Sequence, residues 1–363
     1  MFDKVRRRPA PRCATGLAVI VLTLGGLLSG GCGHAENMTQ EGVGNPDQQK
    51  KEEEPGEVKP EENSLAEWEE DLEEGEPGTF TAEAMRGVSV VRDGEACFAV
   101  SYEPRVYKNS YDCWAISVPY QSMAVVDTEA MYAYFRILTE MELTSVEDMD
   151  ITREQAGIED SEDTVFVAYY SEQTAEGGQE EPDRGLLLRF GGEDAQGNRY
   201  VEAWDRLCLA DGSSVEEIFD VDPYACILKV VSVVNVETVS KVTIHTGEEQ
   251  YEMRIEPEAF LLGEQAVESE DFYALYTTLM SVFLEKELPR EEWEAETASA
   301  DRELLMSITY ERNMEGAPKI TQKYFAYDET YAAVQVNGRT FFLVSREALL
   351  QLREKIEGAF SAF

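Results

Sequence analysis

Histidine is nearly absent: His34 and His245 are the only two in 363 residues. A Ser-His-Asp arrangement would have to use His245, and no GxSxG segment exists to present a serine on a nucleophile elbow. Flanked by Ile244 and Thr246, His245 reads as an ordinary surface residue of a strand. No CxxC pair occurs, which removes the usual spacing of a zinc or thioredoxin-like site. The glycine-rich pieces GVGNP, EGGQEEP and GGEDAQGN carry no lysine and lack a strand-to-helix context, so they read as turns and not as phosphate cradles. Asp148, Asp150, Thr152 and Glu159 echo positions 1, 3, 5 and 12 of an EF-hand loop, but Arg153 stands where that turn requires glycine. No metal or cofactor is expected.

Positive charge is scarce as well. Against 73 Asp+Glu there are 31 Lys+Arg, a net charge of −42. Five of the basic residues fall before residue 32 with a single acid, so the chain after that point carries 26 Lys+Arg against 72 Asp+Glu, or −46. Such a field repels nucleic acid and anionic lipid head groups, and a nucleic-acid function is disfavoured.

The clearest apolar run is N-terminal. Lys4, Arg6, Arg7, Arg8 and Arg12 precede an apolar stretch from Ala14 to Leu28, and small residues lead to Cys32. This is the three-part grammar of a signal peptide over residues 1–31. The segment LLSGGC resembles a bacterial lipobox, which implies cleavage before Cys32 and lipidation (palmitate-type acyl chains) of that residue. Gly16, Gly25, Gly26, Gly30 and Gly31 interrupt a run already short for a hydrocarbon core of ~30 Å, which argues against a retained helix. Pro9 and Ala10 occupy the place of the apolar pair in a twin-arginine signal, so the general secretory route is expected. The protein is therefore expected to be extracytoplasmic, held to the cell membrane through the lipid.

Residues 32–80 are polar, with 14 acids and 3 lysines between Asp47 and Glu76. Self-repulsion and lack of buriable surface predict a disordered acidic tether. Leu65, Trp68 and Leu72 are spaced for a brief amphipathic turn, read here as a transient helix with no partner, with a docking point as the alternative.

Beyond the tether the pattern predicts an α+β chain built from a tandem repeat, 81–230 and 231–363. Met131, Tyr134, Phe135 and Leu138 recur 141 residues later as Phe272, Leu275, Tyr276 and Leu279, each set at helical spacing behind a capping candidate, Asp127 and Ser269. VFVAYYSE at 165–172 aligns with MSITYERN at 306–313. Hairpin turns are predicted at Asp93-Gly94, near Gly247 and at Asn337-Gly338. Each copy closes with a helix: Ser214 and Glu217 form a capping box in the first, and Ser345 opens the second over the stripe Leu349, Leu352 and Ile356. Two antiparallel sheets partly covered by helices are expected.

The strand CWAISVP, the helix MYAYFRILTEMEL, the AGIED segment at 156–160, the stretch RFGGEDAQGNRYVEA and the hairpin YAAVQVNGRTFFLVS together resemble the bacterial domain of unknown function 4340 family, from about Val88 to the C-terminus. The resemblance implies an extracytoplasmic, often lipid-anchored protein encoded near ABC-type transporter components. It supplies no catalytic residues.

Four cysteines remain after Cys32. An even number in an exported chain permits two disulfides, and proximity suggests Cys97 to Cys113 and Cys208 to Cys226 among three connectivities, with four buried thiols as the alternative. Of the aromatics Tyr169, Tyr170, Trp204, Tyr310, Tyr324 and Tyr327, the pair Tyr169 and Tyr170 and their counterpart Tyr310 are the candidate binding surface near the repeat junction; packing beneath the helices is the alternative. The expected function is non-enzymatic binding or scaffolding, accessory to an ABC-type transport assembly. A cell-envelope hydrolase using paired carboxylates is the alternative, separated from the first by geometry alone.

Overall fold

Alternating apolar residues interrupted by turn dipeptides produce eighteen strands, which the computed structural model places in two nine-stranded sheets. Residues 64–75, 80–103, 113–146, 151–171, 182–293, 302–314, 317 and 319–362 are described. Cys32, the expected signal peptide, His34, Asp148 and Asp150 lie outside them.

The first sheet comprises β1 (Glu73–Glu74), β2 (Met85–Arg92), β3 (Glu95–Tyr102), β4 (Trp114–Val118), β5 (Thr144–Ser145), β6 (Thr164–Tyr169), β7 (Arg184–Glu193), β8 (Asn198–Ala203) and β9 (Arg206–Asp211). The second comprises β10 (Val239–Thr246), β11 (Glu249–Glu256), β12 (Ala259–Leu262), β13 (Gln265–Val267), β14 (Leu284–Glu287), β15 (Leu304–Arg312), β16 (Ile320–Ala326), β17 (Tyr331–Val336) and β18 (Arg339–Ser345). Their orders are β4-β3-β2-β6-β7-β8-β9-β5 and β13-β12-β11-β10-β15-β16-β17-β18-β14. The two match strand for strand, except that β13 is added to the second and β1 pairs in parallel with β7 of the first. The other pairings are antiparallel.

Among the described residues five helices complete the α+β architecture: α1 (Ser64–Asp71), α2 (Thr128–Glu140), α3 (Gly212–Phe219), α4 (Ser269–Leu279) and α5 (Arg346–Ser361). α2 buries Met131, Tyr134, Phe135 and Leu138, and α4 buries Phe272, Leu275, Tyr276 and Leu279, the two stripes expected from the repeat. At roughly 1.5–3 kcal/mol per buried large apolar side chain, these faces stabilise each helix far more than propensity does. Together with α3 and α5 they close one continuous apolar core that spans both sheets.

Local signals act as their chemistry dictates. Asp127 caps α2 by accepting from the backbone N–H of Glu129 and Ala130, and Ser345 caps α5 by accepting from Ala348. Asp93 and Gly94 (φ 52° and 76°) and Asn337 and Gly338 (φ 47° and 87°) make the left-handed pairs that two-residue hairpins need. Two caps differ from expectation. The cap of α3 is Asp211, whose carboxylate accepts from the N–H of Ser213 and Ser214, so Ser214 lies inside the helix. Ser269 is the first residue of α4 and Glu268 precedes it without a side-chain cap.

The segment read as a transient helix without a partner has one. α1 and Leu72 pack on the outer face of the first sheet, with Leu65 buried and Trp68 and Leu72 beside Ala99, Phe166, Ala168 and Leu187, and β1 joins the sheet beside β7. The reason is the room left by two glycines in that face. A Cβ on Gly87 would stand 2.5 Å from Leu65 Cδ2, and one on Gly185 would stand 3.3 Å from Leu72 Cβ.

Strand register corrects the disulfide expectation. Tyr102 pairs with Trp114, and Cys113 accepts from the N–H of Glu103 at 2.6 Å, so Cys113 lies six residues along the strand from Cys97. At ~3.3 Å per residue that is about 20 Å, against the ~7 Å that a disulfide spans. Cys97 is the bulge residue between the pairs Val90–Phe98 and Val91–Ala96. No disulfide joins the four described cysteines: Cys208 and Cys226 are buried, and burial pushes the Cys226 thiol up to about 11, with Asp222 adding to the rise.

Candidate functional site

The tyrosines expected at a binding surface are not on one. Tyr169 and Tyr310 are both 0% exposed. Each sits on a central strand at a position whose parity faces the helices, so residue spacing alone sends the ring inward. Tyr170 is half-buried, and the Arg86 guanidinium covers its ring at 4.3 Å from the centroid. Tyr169 and Tyr310 are also not equivalent. Counted from the matching bulges at Met85/Gly87 and Val239/Lys241, Val88 pairs with Val167 and its counterpart Val242 pairs with Tyr310. Tyr310 therefore corresponds to Val167, a slip of two residues that preserves the face and is invisible to pattern matching.

Tyr310 makes a direct test. Its hydroxyl is buried without a hydrogen-bond partner, while Tyr324 donates to Gln322 and Tyr276 to the Val234 carbonyl. Tyr310→Phe is expected to raise stability by about 1 kcal/mol, because it removes an unsatisfied buried hydroxyl at little change in volume. Chemical denaturation of the two chains checks this, and a loss of stability would show that the hydroxyl has a partner.

Among the described residues, the junction of the repeats is filled by packed side chains. Tyr120, in the loop after β4, is 0% exposed and reaches into the second module. Its ring lies 6.0, 5.9 and 4.9 Å from those of Trp293, Phe341 and Phe342, and its hydroxyl donates to Glu287 at 2.8 Å. The connecting chain is stitched to both sides by backbone: Val126 bridges Ile227, and Val230 bridges Phe283. Lys229 holds the crossing, donating to the carbonyls of Tyr224 and Ile227 with its ammonium 3.7 Å over the Tyr224 ring. Burial pushes its pKa down, and Asp222 and Asp127 oppose that shift.

Two shallow depressions lie elsewhere on the surface of the described residues. One of about 510 Å³ lies between the β12–β13 turn and Phe360 of α5. The other, of about 310 Å³, is polar, and two of the motifs that carry the family resemblance build it. Gly192 donates to the Ala156 carbonyl at 2.8 Å, and a Cβ on Gly191 would overlap that same oxygen, so the AGIED segment seats on the glycine pair of β7. Asp163 accepts from the Asp93 N–H at 2.8 Å and meets the Arg199 guanidinium at 3.2 Å. Arg199 also lies 4.0 Å from Glu216. Asp160 and Glu162 line the same depression, and the Arg199 charge is already shared between Asp163 and Glu216. The arrangement ties the first hairpin, β7 and α3 together.

Paired-carboxylate hydrolysis calls for one carboxyl with a raised pKa. Among the described carboxyls, those that move from their ordinary values go the other way. Asn198 donates to Asp194, Ser213 to Asp211, Arg302 to Glu292 and the Tyr331 N–H to Asp328, and each bond favours the anion. His245 is exposed on β10. Among the described residues no three His, Cys, Asp or Glu side chains form a metal-binding group, and no helix is long and apolar enough to cross a membrane. No family model, curated protein or solved structure matches the chain.

Proposed function

We propose that the chain is an extracytoplasmic lipoprotein, anchored to the cell membrane through Cys32, with a non-enzymatic binding or scaffolding role. The observation that carries this reading is LLSGGC at residues 27–32, followed by an acid-rich stretch that runs into the first described element, which begins at Ser64. A chain of net charge −46 after residue 31 has no electrostatic attraction to an anionic membrane, so lipid at Cys32 supplies the attachment. The packed junction supports the scaffolding part, because it holds two similar sheets as one unit. Resemblance to the domain of unknown function 4340 family supports a place beside an ABC-type transport assembly.

Cys32→Ala is the test. One acyl chain alone binds membranes marginally, and a mature lipoprotein carries more than one. Membrane fractionation is expected to move the variant from the detergent-released fraction to the soluble or secreted one. Retention of Cys32→Ala in the membrane would show that residues 14–28 stay as a helix, and would defeat the lipoprotein reading.

A further inference from the structure

The two sheets are duplicates, so each serves as a control for the other, and their outer faces differ. In the first sheet Gly87, Ala168 and Gly185 form one row across β2, β6 and β7. The corresponding row of the second sheet is Lys241, Glu311 and Lys319, with Glu311 2.9 Å from Lys241 and 3.7 Å from Lys319. In the next row, Ala99, Phe166 and Leu187 correspond to Glu252, Thr309 and Thr321. One copy of this fold has a polar outer face at positions where the other is small or apolar. The fold itself does not require an apolar face, and the difference marks a surface shaped for an occupant.

That occupant is visible. Leu65 and Trp68 of α1 sit over Gly87, and Leu72 sits over Gly185. β1 then pairs with Arg184 and Gly185 of β7, beyond the reach of β8, whose pairing begins at Arg189. Gly75 donates to the Gly185 carbonyl at 2.9 Å, and a Cβ there would overlap the Tyr169 hydroxyl.

The occupant is weakly held by its own structure. α1 has eight residues and no basic side chain in its last turn. A helix of this length does not persist alone in water.

We propose that residues 64–75 are a releasable clasp, an in-chain ligand that fills a peptide-docking trough on the outer face of the first sheet. A segment with bulky apolar residues at the spacing of Leu65, Trp68 and Leu72, followed by two extended residues for β7, has the chemistry to displace it. This deepens the binding reading proposed above, and only its second measurement depends on that reading.

Hydrogen exchange on the full chain in detergent tests the clasp by itself. The amides of residues 66–72 are expected to be protected about 100-fold less than those of β6, as for an element that opens locally. Equal protection would overturn the proposal, because the helix would then leave only on global unfolding. For the trough, the peptide SLAEWEEDLEEG is expected to bind the full-length Leu65→Ser/Trp68→Ser chain at least about tenfold more tightly than wild type, whose own clasp competes. It is expected not to bind Gly87→Val, whose trough is filled. Absence of binding to the folded double variant, or binding to Gly87→Val as well, would overturn the docking site while leaving lipid anchoring untouched. If the double variant fails to fold, the clasp is structural and the proposal is also lost.

Discussion

Tyr120→Ala is expected to cost about 4 kcal/mol and to split unfolding into two steps. The ring is fully buried, and three aromatic rings of the second module surround it. Truncating a buried aromatic side chain to alanine costs roughly 3–5 kcal/mol, through lost transfer free energy and the cavity left behind. The location magnifies the consequence. Besides Tyr120, the junction has the linker bridges at Ile227 and Val230 and the contact of Tyr224 with Phe342, so Tyr120 is one of the groups through which the modules couple. Calorimetry should show the main transition lowered by about 10 °C and separated into two. Tyr120→Phe keeps the ring and loses only the bond to Glu287, so it should cost about 1 kcal/mol and preserve a single transition. A single transition for Tyr120→Ala within a degree or two of wild type would show that the junction is not what couples the modules.

Alkaline pH is expected to unfold the chain cooperatively. Burial raises the pKa of Tyr120, Tyr134, Tyr276, Tyr310 and Tyr324, with the Glu287 carboxylate adding to the rise at Tyr120. The sign follows from linkage. A raised folded-state pKa means that the folded chain keeps these protons while the unfolded chain gives them up above about pH 10. Stability from this source is complete below that pH and is lost as pH rises further, at about 1.4 kcal/mol per pH unit for each such tyrosine. Five together exceed the stability of an ordinary domain within one to two units. Tyrosinate absorbance should therefore rise in step with loss of the near-ultraviolet circular dichroism signal. Ionisation of these five phenols with the fold intact would contradict their burial.

Sequence periodicity alone determined the secondary structure of the repeat. The stripes of α2 and α4, the left-handed turns at Asp93-Gly94 and Asn337-Gly338 and the cap at Asp127 all express interactions spanning four residues or fewer, which the local pattern contains in full. Tertiary structure alone decided the rest. A slip of two residues along β15 keeps every side chain on its face, so the equivalence of Tyr310 with Val167 exists only in the pairing with β10. Cys97 and Cys113 both lie in alternating apolar segments, and only the register of β3 on β4 separates them by six residues. Leu65, Trp68 and Leu72 gain a partner because Gly87, Ala168 and Gly185, distant in the chain, come together as a row carrying no side chain larger than a methyl group. The missing side chain of a glycine has meaning only once something rests on it.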